Sequence, residues 1–183
     1  MHSIFDKKHN TNKALIESII LEQYNQYYRL AYSYVHNEAD ACDIVQTGAY
    51  KAIRNCYTLN QPEFAQTWVY RIMLNECFAF IRKPKALSYD AMQDEGMESA
   101  YTEEHDRDID LQRAIDSLPE KDKAIILLRY FEDKKIEEIA DILNENTNTI
   151  KSRLYRSMSK LRVALTDDEK QHKKFYREGR VMI

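Results

Sequence analysis

The 183-residue sequence contains few residues that break helices or cross-link a chain. Three glycines and three prolines leave room for few turns, which favours helices over a many-stranded sheet. Cys42, Cys56 and Cys77 are widely spaced, odd in number and without a CxxC pair, so neither a disulfide framework nor a zinc knuckle is indicated. The five histidines lack metal-ligand spacing. We therefore expect no metal site.

Long apolar runs and catalytic motifs are also lacking. No stretch reaches the ~18 apolar residues that span a membrane, and the first ten residues, MHSIFDKKHN, have no apolar signal-peptide core. We find no glycine-rich phosphate loop, no nucleophile spaced with a base and no ligand cluster. We expect a cytoplasmic protein that is not an enzyme and takes no cofactor and no small-molecule substrate.

The acidic charge is concentrated in one segment. The chain has a formal net charge of −3, but residues 84–107 alone contain seven acidic and two basic residues, a net of −5. This segment, PKALSYDAMQDEGMESAYTEEHDR, has no sustained helical period, which indicates an extended or disordered linker. The sequence therefore predicts an all-α fold with two helical domains, 1–83 and 108–165, an acidic flexible linker at 84–107 and a tail at 166–183.

The first predicted domain is a helical bundle. Apolar residues recur at helical spacing through residues 15–35, and Asn37 or Asp40 is placed to cap a second helix over residues 40–57. A polar break at residues 58–63 precedes a third helix over residues 64–83. Trp68 is four residues before Ile72 on an apolar stripe, so it is predicted to lie in the core, although a stacking platform is an alternative.

The second predicted domain ends in a helix-turn-helix. Short helices are predicted at residues 109–117, after Pro119, and at residues 136–143, with a turn at Asn144 because asparagine tolerates the left-handed conformation. Asn146 or Thr147 can cap the last helix. Its predicted buried stripe is Ile150, Leu154, Met158, Leu161 and Leu165.

The last helix is unusually basic for an acidic chain. Residues 144–165, NENTNTIKSRLYRSMSKLRVAL, contain five basic residues and no acidic residue after Glu145. In a helix-turn-helix the second helix enters the major groove, and its N–H groups and cations meet phosphates. The pattern therefore indicates a DNA-reading helix, with the solvated face of an ordinary amphipathic helix as the alternative.

Both predicted domains resemble bacterial RNA polymerase sigma factors of the extracytoplasmic-function (ECF) group, over residues 22–83 and 108–165. The N-terminal likeness is in YRLAYSYVHNEADACDIVQTGAYKAIRN and TWVYRIMLNECFAFIRK. The C-terminal likeness is in SLPEKDKAIILLRYFEDKKIEEIADIL and TIKSRLYRSMSKLR. Two blocks in this order, joined by a linker of this length, are far more specific than one helix-turn-helix.

The resemblance implies three sets of site residues. The D-x-x-Q pattern implies a helix that docks on core RNA polymerase, formed here by Asp43 and Gln46 with Asp40 one turn earlier. The second set would read the promoter −10 element, with Asn75 at a matching position and a base-capturing loop at residues 59–66; the members are Gln61, Phe64, Arg71, Asn75, Arg82 and Lys83. The third would contact the −35 element; its members are Thr149, Lys151, Ser152, Arg153, Tyr155, Arg156 and Lys160.

Some positions depart from the family pattern. Thr47-Gly48 stands where a glutamate and an apolar residue are usual, and a mid-helix glycine costs about 1 kcal/mol, so we expect it to loosen the polymerase-docking helix. Lys134-Lys135 replaces the usual Leu and Ser or Thr cap, which makes Asp133 the candidate cap. Glu145 occupies a position that is usually apolar.

The resemblance implies a sigma factor in stress response, with core RNA polymerase, promoter DNA and a membrane-anchored anti-sigma factor as partners. A stand-alone helix-turn-helix regulator that binds duplex DNA without polymerase is the alternative, but it leaves the matches at Asp43, Gln46 and Asn75 unexplained. A helical adaptor or an enzyme is a third reading, and no motif favours it.

Overall fold

The computed structural model describes residues 2–83 and 103–178, with side chains described for residues 10–83 and 110–166. Most of the predicted linker therefore lies outside the described residues. Within them every regular element is helical, so the all-α prediction is confirmed. The α-helices are α1 (His2–Glu22), α2 (Tyr24–Val35), α3 (Glu38–Arg54), α4 (Ala65–Arg82), α5 (Glu103–Asp116), α6 (Glu120–Tyr130), α7 (Ile136–Leu143) and α8 (Thr147–Glu178).

Contacts divide the chain into two compact units. The first contains the described residues of Met1–Lys85 together with Leu127–Thr147, and the second contains those of Ala86–Ile126 with Asn148–Ile183. The first unit thus takes in α7, which the sequence pattern had grouped with the last helix. No helix in the described part of the chain is long and apolar enough to cross a membrane.

The helix boundaries of the first unit follow local capping chemistry. The helix predicted through residues 15–35 is interrupted at Gln23, giving α1 and α2. His36 ends α2 in the left-handed conformation (φ 52°), with its N–H donating to the Tyr32 carbonyl at 2.8 Å. The Asn37 side chain then accepts from the Asp40 N–H at 3.0 Å, which confirms Asn37 as the N-cap of α3.

Gly48 lets α3 and α4 approach closely. It is buried on the inner face of α3, and an added Cβ would meet the Met73 Sδ at overlapping distance and the Met73 Cε at 3.3 Å. Met73 is itself 1% exposed, so it has little room to move. The expectation that Gly48 loosens the docking helix is therefore replaced: this glycine fits the α3–α4 contact and faces away from Asp43 and Gln46.

Within the first unit, a buried carboxylate joins the segment before α7 to α2 and α4. The Glu132 carboxylate is almost fully buried; it accepts from the Tyr70 hydroxyl at 3.2 Å and pairs with Arg29 at 3.6 Å. The Lys134 ammonium lies 4.8 Å from the centre of the Tyr70 ring. Helix α7 itself also packs against α4.

The start of α7 differs from the sequence expectation. Lys135, not Asp133, occupies the N-cap position, and its N–H donates to the Glu138 carboxylate at 2.7 Å. Lysine has no acceptor with which to complete the reciprocal bond, so only half of a capping box is present. Asp133 instead takes a left-handed conformation (φ 48°) in the preceding turn. Asn144 ends α7 in the left-handed conformation (φ 52°), as predicted.

The core of the second unit is formed by residues of α5, α6 and α8. Helix α5 begins at Glu103, six residues before the predicted start at 109. Lys123 is buried and its ammonium contacts the Asp116 carboxylate at 2.5 Å, which satisfies the cation inside the unit. The hydrophobic cluster consists of Ala114, Ile115, Leu118, Ile126 and Leu161, with Leu154, Ala164 and Leu165 packed against it.

The buried face of α8 differs from the predicted stripe at one position. Ile150 and Leu161 are buried as expected, but Met158 is 40% exposed, and Ser157 occupies the buried position instead. The prediction of Met158 in the buried stripe was wrong by one position, an error of about 100° around a helix.

Candidate nucleic-acid interface

A pocket opens beside the N-terminal end of α4, within the first unit. Its volume is about 360 Å³, in the range of ~300–1,000 Å³ typical of small-ligand pockets. Two short 3₁₀ turns, Cys56–Thr58 and Pro62–Phe64, shape the loop that forms one side of it. The lining residues are Thr58, Leu59, Asn60, Gln61, Phe64, Thr67, Trp68, Arg71 and Asp141.

Two aromatic rings contribute to the pocket wall. Phe64 is 47% exposed at the end of the loop, and Trp68 is half-buried one turn into α4. The prediction that Trp68 belongs to the core is therefore corrected: the indole lies in the wall of the pocket, together with Gln61 and Phe64. Exposed aromatic faces beside polar groups provide a stacking surface for an unpaired base.

The predicted −10 residues follow one face of α4 from this pocket. Trp68, Arg71 and Asn75 recur at intervals of three and four residues, and Arg82 continues the row two turns later. Asn75, Arg82 and Lys83 are exposed. The Arg82 and Lys83 cations lie 5.8 and 5.9 Å from the centres of the Phe78 and Phe80 rings. The helix thus presents an amide and two cations in line with the pocket.

Arg71 differs from the other members because its guanidinium bonds to backbone within the first unit. Its Nε donates to the Ile142 carbonyl at 3.3 Å, and its Nη2 donates to the Asp141 carbonyl. These are the last carbonyls of α7, where a cation is favoured by the helix dipole. The role of Arg71 at a DNA backbone stays a prediction, and it requires these bonds to be exchanged for phosphate.

The predicted polymerase-docking residues lie on α3. Asp43 and Gln46 are exposed and Asp40 is half-buried. Tyr50 continues the same face at i+7 from Asp43, is largely exposed, and has the Arg54 guanidinium 6.0 Å from its ring centre. Tyr50 was not among the predicted docking residues, although its helical spacing places it on the face of Asp43 and Gln46.

The predicted −35 residues lie along the N-terminal half of α8, in the second unit. Six of the seven are exposed: Thr149, Lys151, Ser152, Tyr155, Arg156 and Lys160. The exception is Arg153, which is half-buried, with its Nη1 donating to the Asp122 carboxylate on α6 at 3.0 Å. The structure therefore separates an outward row of polar and basic side chains from one arginine that joins two helices.

Two family models match this chain. The family model described as "Sigma-70 region 2" matches residues 19–86, and that described as "Sigma-70, region 4" matches residues 108–161. RNA polymerase sigma factor SigV of Bacillus subtilis is 45% identical over 89% of this chain and 98% of its own length. The ECF RNA polymerase sigma factor SigW of the same organism is 30% identical over 76% of this chain and 83% of its own length. This protein is an ECF sigma factor.

A solved structure with low sequence identity to this chain has a similar fold. The structure of CnrH in complex with the cytosolic domain of CnrY superposes with a TM-score of 0.66, at 18% identity, over 90% of this chain and 96% of that one. Sigma factors are transcription-initiation factors and not enzymes, and they bind core RNA polymerase and anti-sigma factors. The sigma-factor prediction is thus confirmed at the level of family and function, whereas the assignment of residues to promoter elements remains a proposal.

Proposed function

We propose that this sigma factor directs core RNA polymerase to promoters and that its two family regions have separate roles. Residues 1–83 dock on polymerase and open the −10 element, residues 108–165 read the −35 element, and the acidic segment 84–107 joins them in the cytoplasm. The observation that supports this most directly is the row on α4 in which a pocket with two aromatic rings adjoins exposed Asn75, Arg82 and Lys83.

At the −10 element the pocket accepts a base that has left the DNA stack. Phe64 and Trp68 supply stacking faces, and Gln61 supplies hydrogen-bond donors and acceptors for the base edge. Asn75, Arg71, Arg82 and Lys83 then hold the displaced strand along α4. Stacking on an aromatic side chain is worth about 1–3 kcal/mol per base, which helps to offset the unstacking of the duplex.

At the −35 element the N-terminal half of α8 reads the duplex. Lys151, Ser152, Tyr155 and Arg156 face outward at the N-terminal half of the helix, where a helix-turn-helix meets base edges. Thr149 and Lys160 are exposed to either side and contact phosphate. Arg153 lies beneath this row and supports its position, since its guanidinium joins α8 to Asp122 on α6.

Core polymerase binds the exposed face of α3. Asp43 and Gln46, with Asp40 one turn earlier, offer acidic and amide groups to a basic partner surface, and Tyr50 extends the contact. An anti-sigma factor restrains the protein in the absence of a signal. The solved complex of CnrH with a cytosolic domain of CnrY supports a partner anchored in the membrane.

Run-off transcription with bacterial core polymerase on fragments of the source genome tests this function. Transcripts that depend on the protein, and that are lost in Asn75→Ala and Arg156→Ala, are the expected result. Arg113→Ala and Asn25→Ala are matched controls, because both side chains are exposed away from the proposed contacts. Duplex binding by the protein alone, without polymerase-dependent transcripts, would instead favour the stand-alone regulator.

A further inference from the structure

Asn12 interrupts an otherwise apolar stripe on α1. In the part of α1 with described side chains, the buried positions are Asn12, Ile16, Ile19 and Ile20, a spacing of one helical face. Asn12 is 2% exposed and lies before residue 19, where the match to the region 2 family model begins. A buried amide on such a stripe requires hydrogen-bond partners.

The partners of Asn12 belong to the loop that borders the pocket. Its Nδ2 donates to the Cys56 carbonyl at 3.1 Å and to the Leu59 carbonyl at 2.9 Å. These carbonyls belong to the first residue of the first 3₁₀ turn and to the residue that follows the turn, and the side-chain amide has two hydrogens, so each carbonyl receives one. Leu59 and the next two residues, Asn60 and Gln61, line the pocket. The amide therefore fixes the backbone where the loop enters the pocket wall.

We propose that Asn12 is a positioning residue for −10 recognition, which holds the loop at the depth required for Gln61 and Phe64 to receive an unstacked base. This inference rests on the proposed function of the pocket. Asparagine suits the position because both bonds need a donor and the side chain is short. A leucine of similar size preserves the apolar stripe but donates nothing. The Leu59 carbonyl then loses the Asn12 donor, the Cys56 carbonyl keeps only the Leu59 N–H at 3.2 Å, and the loop moves toward water.

The fluorescence of Trp68, the single tryptophan of the chain, reports on the loop without DNA or polymerase. Trp68 lies in the same pocket wall as Gln61 and Phe64, so its emission reports how the loop covers it. In full-length Asn12→Leu we expect a red-shifted emission and a larger acrylamide quenching constant than in the wild type. Ile16→Val, which trims a neighbouring buried side chain on α1 and keeps both Asn12 hydrogen bonds, should leave both unchanged.

Asn12→Asp provides a conservative rescue. An ionised carboxylate has no donor and repels the two carbonyls, whereas the protonated acid donates one hydrogen bond. Acidification through the pKa of the introduced carboxyl should therefore return the Trp68 quenching constant of Asn12→Asp toward the wild-type value. Asn12→Leu has no titratable group at this position and should show no such recovery.

Transcription then tests the consequence for the promoter. With holoenzyme on duplex templates that differ at each −10 position, we expect Asn12→Leu to reduce initiation about ten- to a hundredfold, the penalty for displacing a binding group by about 1 Å. Discrimination between bases by Asn12→Leu should fall at one position of the −10 element. Discrimination at the −35 element should be unchanged. A loss of function that is equal on all templates would mean that Asn12 only stabilises the fold.

The fluorescence and transcription experiments together distinguish failure of this inference from failure of the proposed function on which it rests. An unchanged Trp68 signal in Asn12→Leu, at wild-type helical content, overturns the positioning role whatever the transcription shows. A changed signal with unchanged base discrimination also overturns it. Absence of any promoter-dependent transcript from the wild type would overturn the proposed function itself.

Discussion

At the scale of single residues, Gly48 and Met73 offer the sharpest test of packing. Gly48→Ala gains about 1 kcal/mol in helix propensity but places a methyl group against the buried Met73 side chain. Overpacking in a rigid core typically costs about 1–3 kcal/mol, so we expect a net loss of stability in urea unfolding. In a Met73→Ala background the same change should stabilise. Equal effects in both backgrounds would show that the two side chains do not compete for space.

Arg153 and Arg156 on α8 should separate stability from DNA binding. Arg153→Ala removes an ion pair between largely buried groups, and we expect the free energy of unfolding to fall by about 1–2 kcal/mol. Arg156→Ala should change it by less than about 0.5 kcal/mol, because that side chain is exposed. Circular dichroism during urea unfolding measures both. A fully stable Arg153→Ala that no longer supports transcription would assign this guanidinium to DNA instead.

At the scale of elements, α2 and α4 are joined by two buried tyrosines. The Tyr27 and Tyr70 rings meet edge to face with centres 5.0 Å apart. Burial raises the pKa of both phenols well above the usual value near 10, and the negative charge of Glu132 raises the pKa of each further. The Arg29 cation opposes this shift at Tyr70, but more weakly.

This pairing predicts loss of stability in alkali. Because the folded-state pKa of each phenol is raised, its contribution is fully present below the unfolded value near 10 and is lost as pH rises through and above that value. We expect phenolate absorbance at 295 nm to show two tyrosines that ionise only when far-UV circular dichroism reports unfolding. Tyr70→Phe should remove one of them. Ionisation of all tyrosines before unfolding would contradict the packing.

At the scale of the whole molecule, the contact of α8 with phosphate should appear as salt dependence. Neutralising about five phosphates predicts a slope of about −4 to −5 in a plot of log affinity against log salt for holoenzyme on promoter DNA. Lys160→Ala should lower the slope by about one unit and weaken binding similarly on all sequences. Ser152→Ala, with no charge to lose, should leave the slope unchanged; a slope that Lys160→Ala leaves intact would remove this lysine from the phosphate contacts.

The sequence by itself determined the elements and the family. Apolar spacing located the helices, although it missed the break at Gln23 and placed the start of α5 at residue 109 rather than Glu103. The turn at Asn144 was predicted correctly, and Asn37 was one of the two predicted caps of α3, because capping and left-handed turns depend on local chemistry. The polar and basic row on α8 was also visible, since the same periodicity that buries one face exposes the other.

Tertiary structure decided what each side chain meets. Periodicity gives the direction of a side chain but not the neighbour in that direction, so Trp68 was assigned to the core rather than to the pocket wall. The fit of Gly48 to Met73, the pairing of Arg153 with Asp122 and the bonds from Asn12 to the loop all join positions distant in sequence. Those contacts depend on how helices pack, and packing is fixed by shape complementarity among residues that no local pattern connects.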